Sequence, residues 1–341
     1  MHVCHVMGSH REVGGLEKNV RELAAAQVAE GMKVSVLCSD AMGALFEAPV
    51  KVMPVRMERS RRDPRLGWEV KKRLRELKPQ VVHAHANKAA EVLAGVSLPK
   101  VATVHGVKKR TEVFGKFDRV IVPSEVVRET LEGMEAEVIW NAVPPFEEAW
   151  VEEAKELGVP FLGRGPIVYA AGRMAEVKGY DLLLEAVSRV EGVKLWLVGD
   201  GPEREKLEWL AEKFGLLGRV WMPGFVREEQ LVGLMRMADC FVISSRREAG
   251  PYTLAQALRA RCAVVSARVG MAPEFLGDEQ LVGEATVENL EMGLRRFLDG
   301  AEGYREEMGE CFERAERELD RDEMVGKVTR VYEGVLARRS W

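Results

Sequence analysis

The sequence lacks several features that would point to whole classes of protein. No window approaches the about 18 uninterrupted apolar residues of a membrane-spanning helix. The chain does not open with a basic stretch and a long apolar run, so we expect no signal peptide. The five cysteines are odd in number and form no C-x-x-C pair. They predict free thiols in a reducing, cytoplasmic compartment and no disulfide framework.

Strong net charge of either sign is also missing. The formal net charge is -4 and the pI is about 6.0, which argues against a general nucleic-acid partner. The dinucleotide fingerprint G-x-G-x-x-G is absent from the two best places for it, the segments Gly14–Glu17 and Gly199–Pro202. A dehydrogenase is therefore not expected. The amides of Gly14 and Gly15 could hold a phosphate or a sugar hydroxyl, or could simply form a strand-to-helix turn.

What the sequence does contain is a repeated alternation of short Val/Ile-rich strands and amphipathic helices. This pattern predicts parallel sheets that are covered by helices on both faces. The 341 residues exceed one typical core, and residues 142–166 are rich in Pro and Gly, so we expect two doubly wound domains facing a central cleft. The expected parts are an N-terminal domain (1–150), a linker (151–166), a C-terminal domain (167–322) and a C-terminal helix that returns to the N-terminal domain (323–341).

The loop after the first strand of the second half combines glycines with two cations. Gly172 and Arg173 follow the apolar run, and Lys178 and Gly179 precede a helix that starts at Tyr180. Glycines admit a ligand close to the backbone, a helix N-terminus favours anions, and Arg and Lys bind phosphate oxygens. The loop therefore predicts a phosphate or diphosphate site, although two solvated cations would explain the residues as well.

A second polar segment lies after the strand that begins at Cys240. Glu248 would lie in the loop and Gln256 about one turn into the next helix, with free amides from Gly250 to Thr253 between them. Both side chains could point at one ligand. A polar helix cap is the alternative.

All six histidines lie in the first 105 residues: His2, His5, His10, His83, His85 and His105. His83 and His85 alternate at the end of a strand and share one face of it. A metal site is one interpretation. However, no Cys, Asp or Glu stands close by in sequence to complete it, so we expect no metal and a polar cluster that faces the cleft, where at least one histidine works by hydrogen bonding or proton transfer.

Cations concentrate between residues 56 and 78. A solvated helix face explains most such runs, while contact with an anionic membrane surface or acceptor is the alternative. The basic residues of this segment are Arg56, Arg59, Arg61, Arg62, Arg65, Lys71, Lys72, Arg73, Arg75 and Lys78, and the run Lys108–Arg110 adds three more.

Taken in order, these motifs resemble the GT-B retaining glycosyltransferases of family 4. The resemblance runs from about residue 3 to residue 280. Its elements are Gly14-Gly15-x-Glu17, Val81-Val-His-Ala-His85, Thr103-Val-His-Gly106, Val122-Pro-Ser124, Val138-Ile-Trp-Asn141, Gly172-Arg173 with Lys178-Gly179, Val198-Gly-Asp-Gly-Pro202, Met222-Pro-Gly224, Ala238-Asp239, Ser245 with Glu248, and Val264-Val265 with Gly270 and Glu274.

The resemblance implies a nucleotide-sugar donor, most simply a UDP-sugar, and a site in which each residue has a role. His105 and Glu248 match residues at the reacting centre. The residues implied to bind the donor are Gly15, Arg173, Lys178, Gly224, Glu248, Gly250, Pro251, Tyr252, Thr253 and Gln256. The residues implied to bind the acceptor are Gly14, His83, His85 and Asn141.

The activity implied is transfer of a hexose or N-acetylhexosamine, with retention, to a cell-surface glycan or glycolipid such as a lipopolysaccharide core. Arg173 and Lys178 would stabilise the departing nucleoside diphosphate in place of a metal ion, and no D-x-D stands where a metal-dependent transferase would need one. The protein would be cytoplasmic or peripheral at the inner membrane face, through residues 56–78. A nucleotide-sugar epimerase and a non-catalytic nucleotide-sugar-binding protein are the alternatives.

The sequence departs from the family pattern at three positions. Gln256 stands where a second glutamate is usual, Arg261 where glycine is common, and Ala263 where proline is common. Gln256 can accept a ribose hydrogen bond but brings no charge.

Overall fold

The fold is given by a computed structural model that describes residues 1–8, 14–107 and 110–339. His10, Lys108 and Lys109 lie outside the described residues. The chain forms two compact units. Unit 1 comprises Met1–Ala142 and Arg321–Trp341, and unit 2 comprises Val143–Asp320.

Unit 1 contains a seven-stranded parallel sheet in the order β3-β2-β1-β4-β5-β6-β7. The strand order reverses between β1 and β4, which pair in register so that His5 lies beside His83. The central strands are buried along their whole length, as expected for a sheet with both faces covered. The strands are His2–Met7 (β1), Lys33–Cys38 (β2), Lys51–Pro54 (β3), Val81–His85 (β4), Lys100–Thr103 (β5), Arg119–Val122 (β6) and Glu137–Val138 (β7).

The helices of unit 1 include the last helix of the chain. Its buried face carries Val325, Val328 and Tyr332, which share one core cluster with Val3 and Val81 of the sheet. The chain therefore returns to unit 1 by burying an apolar stripe at helical spacing. The helices are Gly15–Ala29 (α1), Asp40–Gly43 (α2), Pro64–Leu77 (α3), Ala86–Leu93 (α4), Glu125–Glu129 (α5) and Arg321–Arg339 (α15), and Glu112–Lys116 forms a 3₁₀ turn.

Unit 2 contains a five-stranded parallel sheet in the order β10-β9-β8-β11-β12, which reverses between β8 and β11. Its strands are Ile167–Ala171 (β8), Lys194–Val198 (β9), Val220–Trp221 (β10), Cys240–Ile243 (β11) and Ala263–Ser266 (β12). Its helices are Ala149–Lys155 (α6), Tyr180–Ser188 (α7), Arg204–Lys213 (α8), Glu228–Met237 (α9), Tyr252–Arg259 (α10), Ala272–Phe275 (α11), Val287–Asp299 (α12), Ala301–Glu307 (α13) and Gly309–Glu318 (α14).

The segment expected to be a linker, 151–166, belongs to unit 2, and its first five residues complete α6. A side-chain carbon on Gly233 of α9 would lie 2.0 Å from the carbonyl oxygen of Trp150, so the two helices are in backbone contact at this point. The Pro- and Gly-rich flanks of α6 had suggested irregular chain, but a glycine on its partner lets a short helix pack there.

No helix in the described ranges is long and apolar enough to span a bilayer. All five cysteines are free thiols, and four of them are buried. Burial raises the pKa of the Cys4 thiol above its ordinary value, as it does for Cys240. These cysteines therefore act as small core residues.

Candidate functional site

In unit 2 the loops that follow β8 and β11 meet at the point where the strand order reverses. Gly179, at φ 63°, begins α7, and a side-chain carbon on it would lie 2.1 Å from the carbonyl oxygen of Ser244. Only glycine fits there, because both the positive φ and the close approach exclude other residues. In open parallel sheets, ligands bind beyond the carboxyl ends of the strands at this reversal.

Two of the predicted site residues are in direct contact across this reversal. Lys178 Nζ lies 2.7 Å from Glu248 Oε1, and Ser245 Oγ donates to the same oxygen at 2.7 Å. The two ionic side chains are 22% and 15% exposed. A charged pair that is mostly shielded yet open on one side can exchange its internal contacts for those of a polar ligand.

A second ion pair fixes the same two loops to each other. Arg246 donates through Nη1 and Nη2 to the two carboxylate oxygens of Asp181, at 2.9 and 2.8 Å, and also to the carbonyl oxygen of Glu176. Burial raises the pKa of the Asp181 carboxyl, but the hydrogen bonds and charge of Arg246 outweigh burial and hold that pKa below its ordinary value. The bidentate geometry positions the loop that carries Lys178.

The remaining donor-site predictions in unit 2 lie in three places. Arg173 is exposed in the loop that also carries Lys178. Gly250 and Pro251 precede α10, whose first turn contains the buried Tyr252 and the partly exposed Thr253. Gly224 follows β10 at φ 87°, and its carbonyl oxygen accepts from the Gly199 amide at 2.9 Å.

Gln256 lies about one turn into α10, as expected, but its side chain is buried. It is 3% exposed, and its Nε2 donates to Glu228 Oε1 at 3.0 Å. The amide thus makes its hydrogen bond inside unit 2, to a carboxylate on α9. Sequence reasoning did not find Glu228, because its contact with Gln256 depends on how α9 and α10 pack.

In unit 1 the predicted glycine loop forms the start of α1. Gly14 is its N-cap, and the Gly14 amide donates to Glu17 Oε2 at 2.8 Å, so a side chain of the chain itself caps this end. Gly15 is the first helical residue, and a side-chain carbon on it would meet nothing within 4 Å. Asn141 is 8% exposed and accepts from Asn19 Nδ2 at 3.0 Å.

His83 and His85 are completely buried, which does not fit the prediction that they contact an acceptor. His83 bonds to Tyr332 Oη at 2.6 Å and to Thr103 Oγ1 at 2.7 Å. His85 lies between His5 Nδ1 and His105 Nε2, each at 3.0 Å. Of these four histidines only His105 is partly exposed.

Burial keeps the inner histidines neutral. It lowers the pKa of His5 to about 4, and it lowers the pKa of His83 and of His85 well below the ordinary value, with neighbouring histidines adding to the effect.

His5, His83 and His85 also present ring nitrogens within 4.8 Å of one another, close enough to be considered as ligands of a metal ion. Each of the three rings, however, uses both nitrogens in hydrogen bonds within unit 1. Metal binding would have to break those bonds, so the geometry fits a hydrogen-bonded cluster better than a metal centre.

Sequence reasoning did not identify His5 as a member of this cluster. It also did not identify Gln27 and Tyr332 as hydrogen-bond partners of the cluster. The spacing of His83 and His85 showed a shared face, but only strand register places His5 beside them. Tyr332 reaches the cluster from a helix 249 residues further along the chain. No local pattern carries that information.

Both units are thus parallel α/β structures with polar side chains gathered where the strand order reverses, which is where such sheets bind ligands. The family model for glycosyl transferases group 1 matches residues 154–314, and the model for glycosyltransferase family 4 matches residues 13–145. The chain belongs to these glycosyltransferases.

Two curated relatives are lipopolysaccharide core biosynthesis glycosyltransferases of Rhizobium meliloti (strain 1021). LpsE is 32% identical over 188 residues, which are 54% of this chain and 54% of LpsE. LpsD is 32% identical over 195 residues, which are 54% of this chain and 53% of LpsD. The chain therefore spans about half the length of the curated relatives it matches.

Solved structures match over nearly the whole chain. Sucrose-phosphate synthase from Thermosynechococcus elongatus has a TM-score of 0.83 and 19% identity, covering 99% of this chain and 100% of its own. Anabaena Alr3699/HepE in complex with UDP-glucose has a TM-score of 0.82 and 18% identity, covering 97% and 99%. WaaG, a glycosyltransferase involved in lipopolysaccharide biosynthesis, has a TM-score of 0.74 and 17% identity, covering 97% and 100%. The fold is that of the GT-B glycosyltransferases, as expected from the sequence.

Proposed function

We propose that this protein transfers a hexose or N-acetylhexosamine from a UDP-sugar to a cell-surface glycan acceptor of the lipopolysaccharide-core type, with retention of configuration and without a metal ion. The observation that carries the proposal is the contact between Lys178 and Glu248 at the strand reversal of unit 2. The structure of HepE was solved with UDP-glucose, and LpsE and WaaG are named for lipopolysaccharide biosynthesis.

Charge provides the physical reason for the donor class. Breaking the bond between the sugar carbon and the phosphate oxygen leaves negative charge on the nucleoside diphosphate. Arg173 and Lys178 lie in one loop before the start of α7, where cations and helix amides stabilise an anion. Glu248, which shares a hydrogen-bonded site with Lys178, accepts hydrogen bonds from sugar hydroxyls in this proposal.

The test combines ligand screening and kinetics. UDP-, GDP-, ADP- and CMP-sugars are compared by thermal shift, because a ligand at 100 times its dissociation constant stabilises by about 2.7 kcal/mol. The best donor is then assayed with an oligosaccharide acceptor, with and without a chelator. Conversion of the donor sugar without any acceptor would indicate an epimerase. Absence of any turnover would indicate a binding protein.

A matched pair of arginine variants tests the assigned site. Arg173→Ala should reduce transfer by about 10²–10³-fold. Arg261→Ala, which removes an exposed arginine paired with Glu316 in front of β12, should leave transfer unchanged. Near-normal turnover by Arg173→Ala, with the control also normal, would contradict the role of Arg173.

We also propose that α3 of unit 1 contacts an anionic membrane surface. Trp68 is 63% exposed, and Lys72 Nζ lies 5.6 Å from the centre of its ring. Exposed tryptophan beside cations suits a lipid headgroup region. A groove of about 530 Å³ surrounds it, lined by Arg56, Arg59, Pro64, Arg65, Trp68, Glu69, Lys72 and Arg73.

Co-sedimentation with vesicles that contain phosphatidylglycerol tests the membrane proposal. Trp68→Ala should weaken binding, and neutral phosphatidylcholine vesicles should bind weakly. The control is Trp209→Ala, because Trp209 of α8 is also exposed and also lies under a lysine, at 4.9 Å. Equal loss in both variants, or no binding by the unchanged protein, would count against α3 as the contact.

A further inference from the structure

A single line of hydrogen bonds leads from the buried core of unit 1 to His105. Gln27 Oε1 lies 2.8 Å from His5 Nε2, His5 Nδ1 lies 3.0 Å from His85 Nε2, and His85 Nδ1 lies 3.0 Å from His105 Nε2. Gln27, His5 and His85 are each 0% exposed. The line therefore has one end in the core and the other at a partly exposed ring.

The chemistry of neutral imidazole gives this line a direction. A neutral ring has one N–H donor and one acceptor nitrogen. Because Gln27 Oε1 can only accept, His5 carries its proton on Nε2 and accepts at Nδ1. His85 must then carry its proton on Nε2 in turn, and so must His105. The acceptor nitrogen of His105 is consequently Nδ1.

A second branch from Gln27 agrees with this direction. Gln27 Nε2 donates to Tyr332 Oη at 3.3 Å, so the Tyr332 hydroxyl proton goes to His83 Nδ1 at 2.6 Å. His83 then donates through Nε2 to Thr103 Oγ1 at 2.7 Å. One amide therefore sets the proton positions of all four rings.

We propose that Gln27, His5 and His85 are positioning residues that direct the Nε2 proton of His105 toward His85, so that Nδ1 is the acceptor nitrogen of the neutral His105 ring. The proposal rests on the proposed function, together with the family resemblance that matches His105 to a residue at the reacting centre. It assigns the donor of the neutral His105 ring to Nε2 and its acceptor to Nδ1.

Neutrality of the inner rings is needed for the direction to hold. A protonated histidine donates at both nitrogens, so a charge on His5 or His85 would break the line. Burial favours the neutral form at each of these rings.

The orientation of the Gln27 amide is the controlling feature, because the reversed line is also internally consistent. If Gln27 offered no acceptor, the Nε2–H of His5 would be a buried donor without a partner, which costs about 1–3 kcal/mol. Moving every proton to Nδ1 would avoid this cost. It would place the outermost N–H of the line on Nδ1 of His105, at a partly exposed ring.

Long-range ¹H–¹⁵N correlation spectra of protein labelled at histidine test the proposal without any substrate, because they distinguish the two tautomers. His105 is assigned from the spectrum of His105→Ala. We expect the Nε2–H form for His5, His83, His85 and His105 in the unchanged protein. Gln27→Glu keeps an oxygen toward His5 and should keep that form for His5, His85 and His105, although it removes the amide that donates to Tyr332. Gln27→Met should move His105 to the Nδ1–H form and lower kcat by up to about 10²-fold.

The matched control is Thr103→Val, which removes a buried hydrogen bond from the same cluster but from the branch of His83. It should leave the His105 tautomer unchanged, and melting temperatures check that each variant folds. The Nδ1–H form of His105 in the unchanged protein, or an Nε2–H form that survives Gln27→Met, would overturn the proposal. Absence of glycosyl transfer with the expected tautomer would overturn the proposed function alone.

Discussion

The two sheets reverse their strand order in the same way, yet they place different chemistry at the reversal. In unit 1 the polar groups lie within β1 and β4, are neutral and are fully buried, as with His5 and His83. In unit 2 they lie in the loops beyond β8 and β11, are charged and are partly exposed, as with Lys178 and Glu248. In both units the reversal of strand order brings the polar groups together. Groups within the strands are buried, whereas groups in the loops after the strands can contact a ligand.

This difference separates two ways of acting on a substrate. The ion pair of unit 2 can give up its internal hydrogen bonds to a ligand, because both of its side chains have some access to solvent. The buried rings of unit 1 can act only through His105, the partly exposed end of their line. One unit therefore offers direct contacts, and the other offers a fixed proton position.

The largest expected difference between the two units is in how their stability depends on pH. His5 has a pKa of about 4 in the folded protein and 6.5 when unfolded, so the unfolded chain binds the proton first as pH falls. Stability is fully present above about pH 6.5 and decreases as pH falls toward 4, by about 1.4 kcal/mol per pH unit for one such histidine. The pKa values of His83 and His85 are lowered in the same direction, so both add to this loss in unit 1.

Hydrogen exchange at pH 7 and pH 5, corrected for intrinsic rates, locates this loss. Amides of β1 and β4 should lose protection at pH 5, while β8 and β11 should keep theirs, because unit 2 contains no histidine. The partners of the buried rings, Gln27, Thr103 and Tyr332, carry no charge that would offset the effect. Equal loss in both units would remove the proposed distinction.

Removal of the partly exposed Lys178 charge in unit 2 should lower catalytic activity rather than stability. Lys178→Ala takes away a cation beside Glu248 and should lower kcat/KM for transfer by about 10²–10³-fold, with little change in the melting temperature. Lys213→Ala is the control, since Lys213 of α8 stacks over the exposed Trp209 ring. A variant within twofold of the unchanged protein would show that Lys178 has only a structural role.

The sequence predicted the backbone of both regions better than their side-chain partners. The alternation of apolar runs and helical periods predicted two parallel α/β units, the start of β11 at Cys240 and the start of α7 at Tyr180, because local periodicity determines such elements. The motif order predicted the family and the contact partners Lys178 and Glu248 as members of one site.

The remaining features depend on contacts that lie far apart in the chain. His5 meets His83 through strand register, and Tyr332 joins them through the packing of α15. The burial of Gln256 against Glu228 likewise depends on the packing of α9 and α10. Residue type and spacing predicted which side chains are polar but not which of them face a ligand.

Gln256 offers a sharper test of the region around the ion pair. Gln256→Glu restores the residue usual in the family, but it would place a buried carboxylate about 3.0 Å from that of the half-buried Glu228. Like charges at that distance disfavour each other, so the free energy of unfolding should fall by about 1–3 kcal/mol. Urea denaturation measures the change.

The matched variant is Glu228→Gln combined with Gln256→Glu, which exchanges amide and carboxylate. The pair should recover most of the lost stability, as a double-mutant cycle would show. Stabilisation by Gln256→Glu alone would mean that Glu228 is not its partner.

The smallest expected effect comes from removing a buried tyrosine hydroxyl in each unit. Tyr332 of α15 bonds to side chains, Gln27 and His83, whereas Tyr304 of α13 bonds to the backbone carbonyl oxygens of Val264 and Glu279. Tyr332→Phe and Tyr304→Phe should each lower the free energy of unfolding by about 1 kcal/mol, because each removes buried hydrogen bonds. Only Tyr332→Phe should also change the histidine ring signals, since it removes the donor to His83 Nδ1. Identical ring spectra for both variants would show that α15 supports unit 1 by packing alone.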